Sequence, residues 1–253
     1  MERSLTQIQP RVWRIVAANP SPMTGPGTNT YLVGGAQVVI IDPGPPNDAH
    51  LETIKAALRT LLARAHSIIV THHHSDHSAA AEPLARQLGA PVFSFGKPLQ
   101  PGDEVKVAGL TLTVQHTPGH IYAHICLWLV EQRLLFAGDL VAGQGTVLII
   151  PPDGDMAAYL DSLRAMQVLA PAAILPGHGP VIEDPQTLLQ EYIAHRLRRE
   201  EQVLDWLAQG YTTAAEIAAQ IYADQPAVLG IATMQVEAHL EKLRSEGRYL
   251  LKK

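Results

Sequence analysis

Between Thr71 and Ala80 the chain reads THHHSDHSAA, with four imidazoles and one carboxylate inside six residues. No other stretch limits the possible folds as strongly. A core accepts such groups only when each finds a partner, because burying a polar ring unpaired costs free energy. With 12 histidines in 253 residues a chance cluster is possible, so the test is whether distant segments supply partners. The run before it, SIIVT (67–71), is short and apolar and reads as a buried strand. The run after it, SAAAEPLARQLG, reads as a helix closed by Gly89. The cluster is therefore expected on a strand-to-helix loop, where functional side chains gather.

The same kind of pattern extends along the chain. VWRIVA (12–17), NTYLVGG (29–35) and QVVIIDPG (37–44) read as strands, with Gly34-Gly35 as a hairpin signal and the Pro43–Pro46 cluster as a stop. NDAHLETIKAALRTLLA reads as an amphipathic helix, since Leu51, Ile54, Leu58, Leu61 and Leu62 recur at helical spacing and Asn47 or Asp48 can cap it. PVFSF, LTLTVQHT, HICLWLV and RLLFAGD read as further strands, 155–169 as helix, and AAILPGHG as strand then loop. Strands and helices alternate with hairpins mixed in. This order predicts an α/β sandwich rather than a doubly wound sheet. Beyond Glu183 the texture turns helical: Leu189, Ile193, Leu197, Leu204 and Leu207 form a stripe. Two further helices and a Gly-Arg-Tyr edge then resemble a winged-helix module. The expected domains are 1–182 and 183–253.

Three loops answer the histidine cluster. TPGH ends in His120, FAGD in Asp139, and PGHG contains His178. Each follows a strand-like run, and loops at strand ends converge on one edge of a sheet. With His72, His74, Asp76 and His77 they make seven candidate ligands. One catalytic zinc takes about three protein ligands, so seven suits two ions sharing a carboxylate. In an extended segment His72 and His74 project to the same side and can grip one ion with His120. Asp76 and His77 can grip a second with His178, and Asp139 is the natural bridge. The donors are nitrogen and oxygen only, which suits zinc and also admits iron or manganese. Two such ions activate water near neutral pH. Cys126, the single cysteine, lies in an apolar strand-like run and is expected to be inert.

Taken together, GTNTYLVG, THHHSDH, TPGH, AGD and PGHG resemble the metallo-β-lactamase superfamily. GQGT (143–146), PGHGPVI, YIAHRLRREEQVL and the winged-helix end look closest to its beta-lactamase-like-2 branch. The resemblance implies an αββα sandwich with two metals, expected here as two Zn2+ per chain, at its edge. It also implies a metal-dependent hydrolase that uses a bridging hydroxide. Animal members of that branch are endoribonucleases, so single-stranded RNA is one candidate substrate. The long insert with which nuclease relatives clamp RNA is not visible, and a small-molecule thioester, lactone or β-lactam is the favoured class. A metal-sensing winged-helix DNA regulator is a third reading. The branch has a histidine at the position of His124, which can orient a ligand, donate a proton to a leaving group, or simply pack on a strand. Asp76 and His124 are the catalytic candidates. His73 is expected to point away from the ions.

Charge narrows the partners. The net charge of -5 offers no general attraction for nucleic acid or an anionic membrane. Residues 183–253 carry eight Lys or Arg against eleven Asp or Glu, whereas a duplex-reading wing shows a basic face. HRLRRE (195–200) is the one basic cluster. No apolar run approaches the ~18 residues of a spanning helix, and no apolar leader is visible, so a cytoplasmic location without membrane association is expected. The tail is expected to wall a cleft or to build a homodimer.

Overall fold

The computed structural model describes residues 5–249. Its strands are β1 (Thr6–Gln9), β2 (Val12–Val16), β3 (Asn29–Gly34), β4 (Gln37–Ile41), β5 (Arg64–Ile69), β6 (Val92–Phe95), β7 (Pro98–Leu99), β8 (Glu104–Val107), β9 (Leu110–His116), β10 (Ile125–Leu129), β11 (Leu134–Gly138) and β12 (Ala173–Pro176). The helices are α1 (Asp48–Thr60), α2 (Ser75–Ser78), α3 (Ala81–Leu88), α4 (Met156–Leu169), α5 (Pro185–Ala208), α6 (Ala214–Ile221) and α7 (Leu229–Ser245). None is long and apolar enough to cross a membrane.

The chain forms two compact units. The first comprises 1–116, 123–146 and 170–185, and the second 117–122, 147–169 and 186–253. The change of texture read at residue 182 lies close to the last of these crossovers, but the second unit also takes in two earlier segments.

In the first unit, one sheet runs β1-β2-β3-β4-β5-β6-β7 and the other β12-β11-β10-β9-β8. Strict alternation along doubly buried strands explains how they stack. Val39 and Ile41 of β4 face the second sheet, where they join Leu112, Val114, Leu127 and Phe136. Val38 and Ile40, one step over, face Leu51, Ile54 and Leu58 of α1 and Leu84 of α3. The Asn47 side chain caps α1 by accepting from the His50 N–H, and Gly89 closes α3 in the left-handed region.

Strand direction puts one set of loops together. β4, β5 and β6 are parallel, β11 and β12 are parallel, and β9 is antiparallel to β10, itself antiparallel to β11. Each sheet therefore sends its parallel set of C-terminal ends to one edge. Hydrogen bonds join those two edges: the Ile125 N–H donates to the Thr71 carbonyl (2.9 Å), and the Asn29 N–H to the Gly177 carbonyl (2.7 Å).

The second unit holds α4 to α7. Val203, Ile217, Val236, Leu240 and Leu243 form a separate apolar core for α5, α6 and α7. A capping box between Thr213 and Glu216 starts α6. The expected wing has no strand up to Tyr249; Leu250–Lys253 lie outside the described residues.

Candidate metal centre

The structure corrects the loop expected at 71–80. The strand ends at Ile69, Ser75–Ser78 make a one-turn helix, α2, within the expected loop, and the helix expected over 78–89 begins only at Ala81, as α3. The Ser78 hydroxyl fastens the turn by donating to the carbonyls of His73 and His74, each at 3.0 Å. His72 and His74 project together, with Nε2 and Nδ1 3.1 Å apart. Asp76 and His77 leave from the helical turn toward His178. His73 is exposed.

Six of the seven sequence-derived ligands lie in the first unit, and they fall into two trios. His72, His74 and Asp139 offer ligand atoms within 4.8 Å of one another, and so do Asp76, His77 and His178. Asp139 reaches both: Oδ2 is 3.8 Å from His72 Nε2, while Oδ1 is 3.3 Å from His77 Nε2 and 3.5 Å from His178 Nε2. His120 belongs to the second unit, where its Nδ1 lies 2.7 Å from the Leu148 carbonyl oxygen.

The hydrogen bonds fix which ring nitrogen is bare. Asp42, at the end of β4, is buried; its carboxylate accepts from the Thr71 N–H (2.7 Å) and hydroxyl (2.7 Å). It also lies 2.8 Å from His77 Nδ1. A carboxylate only accepts, so His77 carries its proton on Nδ1 and its lone pair on Nε2. The Thr71 hydroxyl proton is committed to Asp42. His72 Nδ1, 3.1 Å from that hydroxyl oxygen, must donate, and His72 Nε2 is bare. The Leu148 carbonyl imposes the same tautomer on His120. His77 Nε2 and His178 Nε2 stand 3.1 Å apart. Two nitrogens gripping one zinc at ~2.0–2.1 Å in tetrahedral array stand roughly 3.3 Å apart. The donors present fit a metal.

Electrostatics show how strongly protons compete for those lone pairs. Burial works against a charged His77, but Asp139 and Asp42 outweigh it and hold its pKa well above the usual imidazole value. His178 is raised to about 9 by Asp139 and Asp76 against the same opposition. Burial would lift Asp139, yet His77 and His178 take it well below the carboxylate range. The buried Asp42 and the half-buried Asp139 call for positive charge at this edge, and protons and metal cations compete to supply it.

Two glycines set the approach distances. A Cβ on Gly177 would sit 2.6 Å from His77 Cε1 and 2.7 Å from Asp139 Oδ1, and one on Gly138 (φ 46°) 2.8 Å from His124 Nε2. His124 is fully buried. Its Nε2 accepts the Asp139 N–H at 3.1 Å, so it acts on the ligand's backbone, and that nitrogen is not a proton donor at the reacting atoms. Asp42 was missed from sequence. Its one signal is a carboxylate placed directly between a buried strand and Pro43-Gly44. Among the other histidines, His50 is buried against Thr30 Oγ1 at 2.9 Å, His239 is buried in α7, and His116 stacks on Phe95. Cys126 is buried as expected.

The family model for the metallo-beta-lactamase superfamily matches residues 23–97 and 93–178, and that for the beta-lactamase associated winged helix domain matches 213–249. The chain is 34% identical to the Beta-lactamase-like protein 2 homolog of Caenorhabditis elegans, across 96% of this chain and 90% of that protein. It is 34% identical to an atrochrysone carboxyl ACP thioesterase of Aspergillus fumigatus, across 87% of this chain and 76% of that one. A crystal structure of a beta-lactamase domain protein from Burkholderia ambifaria shares the fold with a TM-score of 0.85 at 22% identity, covering 97% of this chain and 89% of that one.

Proposed function

The chain belongs to the metallo-beta-lactamase superfamily, a family of hydrolases, and from that premise we propose that it is a binuclear zinc enzyme cleaving an ester-type bond of a small molecule, such as a thioester, lactone or β-lactam. The observation that carries the reading is the set of bare ring nitrogens and two carboxylates brought within ligand distance of one another. His72, His74 and His120 would hold one ion, Asp76, His77 and His178 the other, and Asp139 both. Two such ions supply an activated water at neutral pH and a seat for developing negative charge.

The chain's own residues do the rest. Asp42 and Thr71 keep His77 and His72 in the tautomers that aim bare nitrogens inward. His124 holds the backbone of Asp139. Asp76, 29% exposed at its side chain, is more open to an incoming substrate than Asp139, at 16%. The acidic balance of residues 183–253 supports a small or neutral substrate over a polyanion. The thioesterase name of a 34% identical relative supports an acyl substrate.

Elemental analysis of the purified protein is expected to give about two zinc ions per chain. A panel of acyl thioesters, lactones, cephalosporins and single-stranded RNA, each with and without chelator, then identifies the reaction. Turnover of an acyl compound that chelator abolishes is the expected result. RNA cleavage with every acyl compound untouched replaces the small-molecule reading with an endoribonuclease. Asp76→Ala and His120→Ala are each expected to lose metal and at least ~100-fold in turnover. A folded Asp76→Ala protein with full activity under controlled metal would refute the second site.

A further inference from the structure

His120 is anchored in the second unit. The Ser162 hydroxyl of α4 donates to the Pro118 carbonyl at 2.7 Å, and the Asp155 N–H to the Gly119 carbonyl at 2.8 Å. Gly119 (φ 136°) lies so close to Tyr159 of α4 that an added Cβ would stand 2.3 Å from its Cα. These contacts fix the backbone of the segment. The ring is fixed by the Leu148 carbonyl, 2.7 Å from Nδ1.

That carbonyl is the middle one of three in a row, each accepting from a side chain of a different segment. Arg196 of α5 donates to the Val147 carbonyl, and Gln235 of α7 donates through Nε2 to the Ile149 carbonyl at 2.9 Å. Arg196 also donates to Gln235 Oε1 at 3.1 Å. Both side chains are buried, and the Arg196 guanidinium lies over the Tyr159 ring at 5.4 Å. Holding both neighbouring carbonyls restricts displacement of the strand that carries the carbonyl between them.

We infer that Arg196 and Gln235 are positioning residues for His120: they set the Leu148 carbonyl, and that carbonyl sets the tautomer and aim of the ring. The helical tail thereby holds one of the proposed ligands. This rests on the binuclear reading above, with His120 as a ligand.

The test uses the full-length zinc protein and the variants Arg196→Met and Gln235→Met, which keep the apolar stems and remove the donors. Zinc affinity is read by competition with a chromophoric chelator. The ring nitrogens of 15N-labelled histidines are read by NMR. Each variant is expected to weaken one of the two zinc affinities by about 10- to 100-fold and to move the His120 Nδ1 signal, while the signals of His77 and His178 stay in place. Wild-type zinc affinity with an unmoved His120 signal overturns the inference. So does a uniform drift of all histidine signals with both affinities weakened alike, the mark of general loosening. If Arg196→Met does not fold, Gln235→Met decides alone. His120→Ala separates the two levels: a variant that keeps both zinc ions defeats the binuclear reading itself, whereas one that loses an ion leaves only Arg196 and Gln235 in question.

Discussion

Asp42 shows what a single side chain contributes to this edge. Its carboxylate takes three hydrogen bonds, two from Thr71 and one from His77. Asn in its place offers one oxygen and an amide that donates, so a donor would face a donor in a buried site. Asp42→Asn is expected to cost about 2 kcal/mol of folding stability, read by denaturant unfolding, and to weaken zinc binding by 10- to 100-fold, read by chelator competition. Unchanged zinc affinity would remove Asp42 from the tuning of His77. The seven candidate ligands were legible because histidine is conspicuous and their spacing suits a chemical requirement. Asp42 was not, because it acts 35 residues from His77 through a contact that no local pattern announces. His124 stands between these cases. Its Nε2 holds a buried N–H, so His124→Ala leaves that donor unpaired at a cost of about 1–3 kcal/mol. Slowed turnover with nearly full zinc is the expected result; wild-type kinetics would reduce the residue to packing.

Elements were legible where burial imposes a period. β3, β4, β9, β10 and β11 carry enough apolar residues to declare themselves, and α1 shows its stripe. β1 is TQIQ, a mostly exposed edge strand whose polar residues hide it. β8 is EVKV, where alternation is present but spans only four residues. α2 was hidden because its residues are chosen for chemistry rather than helix propensity, and a single turn gives no periodicity to read. In the tail the legible feature was the stripe on α5, while the ionic lock beneath it was not. Glu200 of α5 is buried and bonds Lys242 of α7 at 2.6 Å and Arg248 beyond it. Burial alone would raise its pKa, but His239, Lys242 and Arg248 together bring it down to about 2 from 4.5. The folded value lies below the unfolded one. The stabilisation is therefore complete above about pH 4.5 and disappears as pH falls toward 2. It amounts to roughly 3 kcal/mol. Trp206 of α5 reports the tail once Trp13 and Trp128 are replaced by Phe. In that background the wild-type tail is expected to lose stability steeply between pH 4.5 and 2, and Glu200→Gln to begin lower and change little. Identical acid profiles would show that the lock contributes nothing.

At the scale of the molecule, a chain read from end to end suggests domains laid end to end. The change from mixed to helical texture near residue 182 is real, yet the folded chain interleaves its two units, and 117–122 and 147–169 pack with the tail. Sequence could not show this, because the binding groups are backbone carbonyls, which every residue has. The consequence is a prediction about truncation. A chain ending at Asp184 retains both sheets and all seven candidate ligands. It also retains α4 and 147–149, but without Arg196 or Gln235 to meet the Val147 and Ile149 carbonyls and without the guanidinium over Tyr159. Carbonyls buried for a partner that is absent cost about 1–3 kcal/mol each, a large share of the 5–15 kcal/mol by which a domain is usually stable. Limited proteolysis of the truncated protein is therefore expected to cut within 147–169, a region resistant in the full chain, and its zinc content is expected to fall by about one ion per chain as His120 loses its hold. A truncated protein as protease-resistant and as fully loaded with zinc as the whole would mean that residues 1–184 fold independently, and that the helices beyond serve some purpose other than holding the ligand.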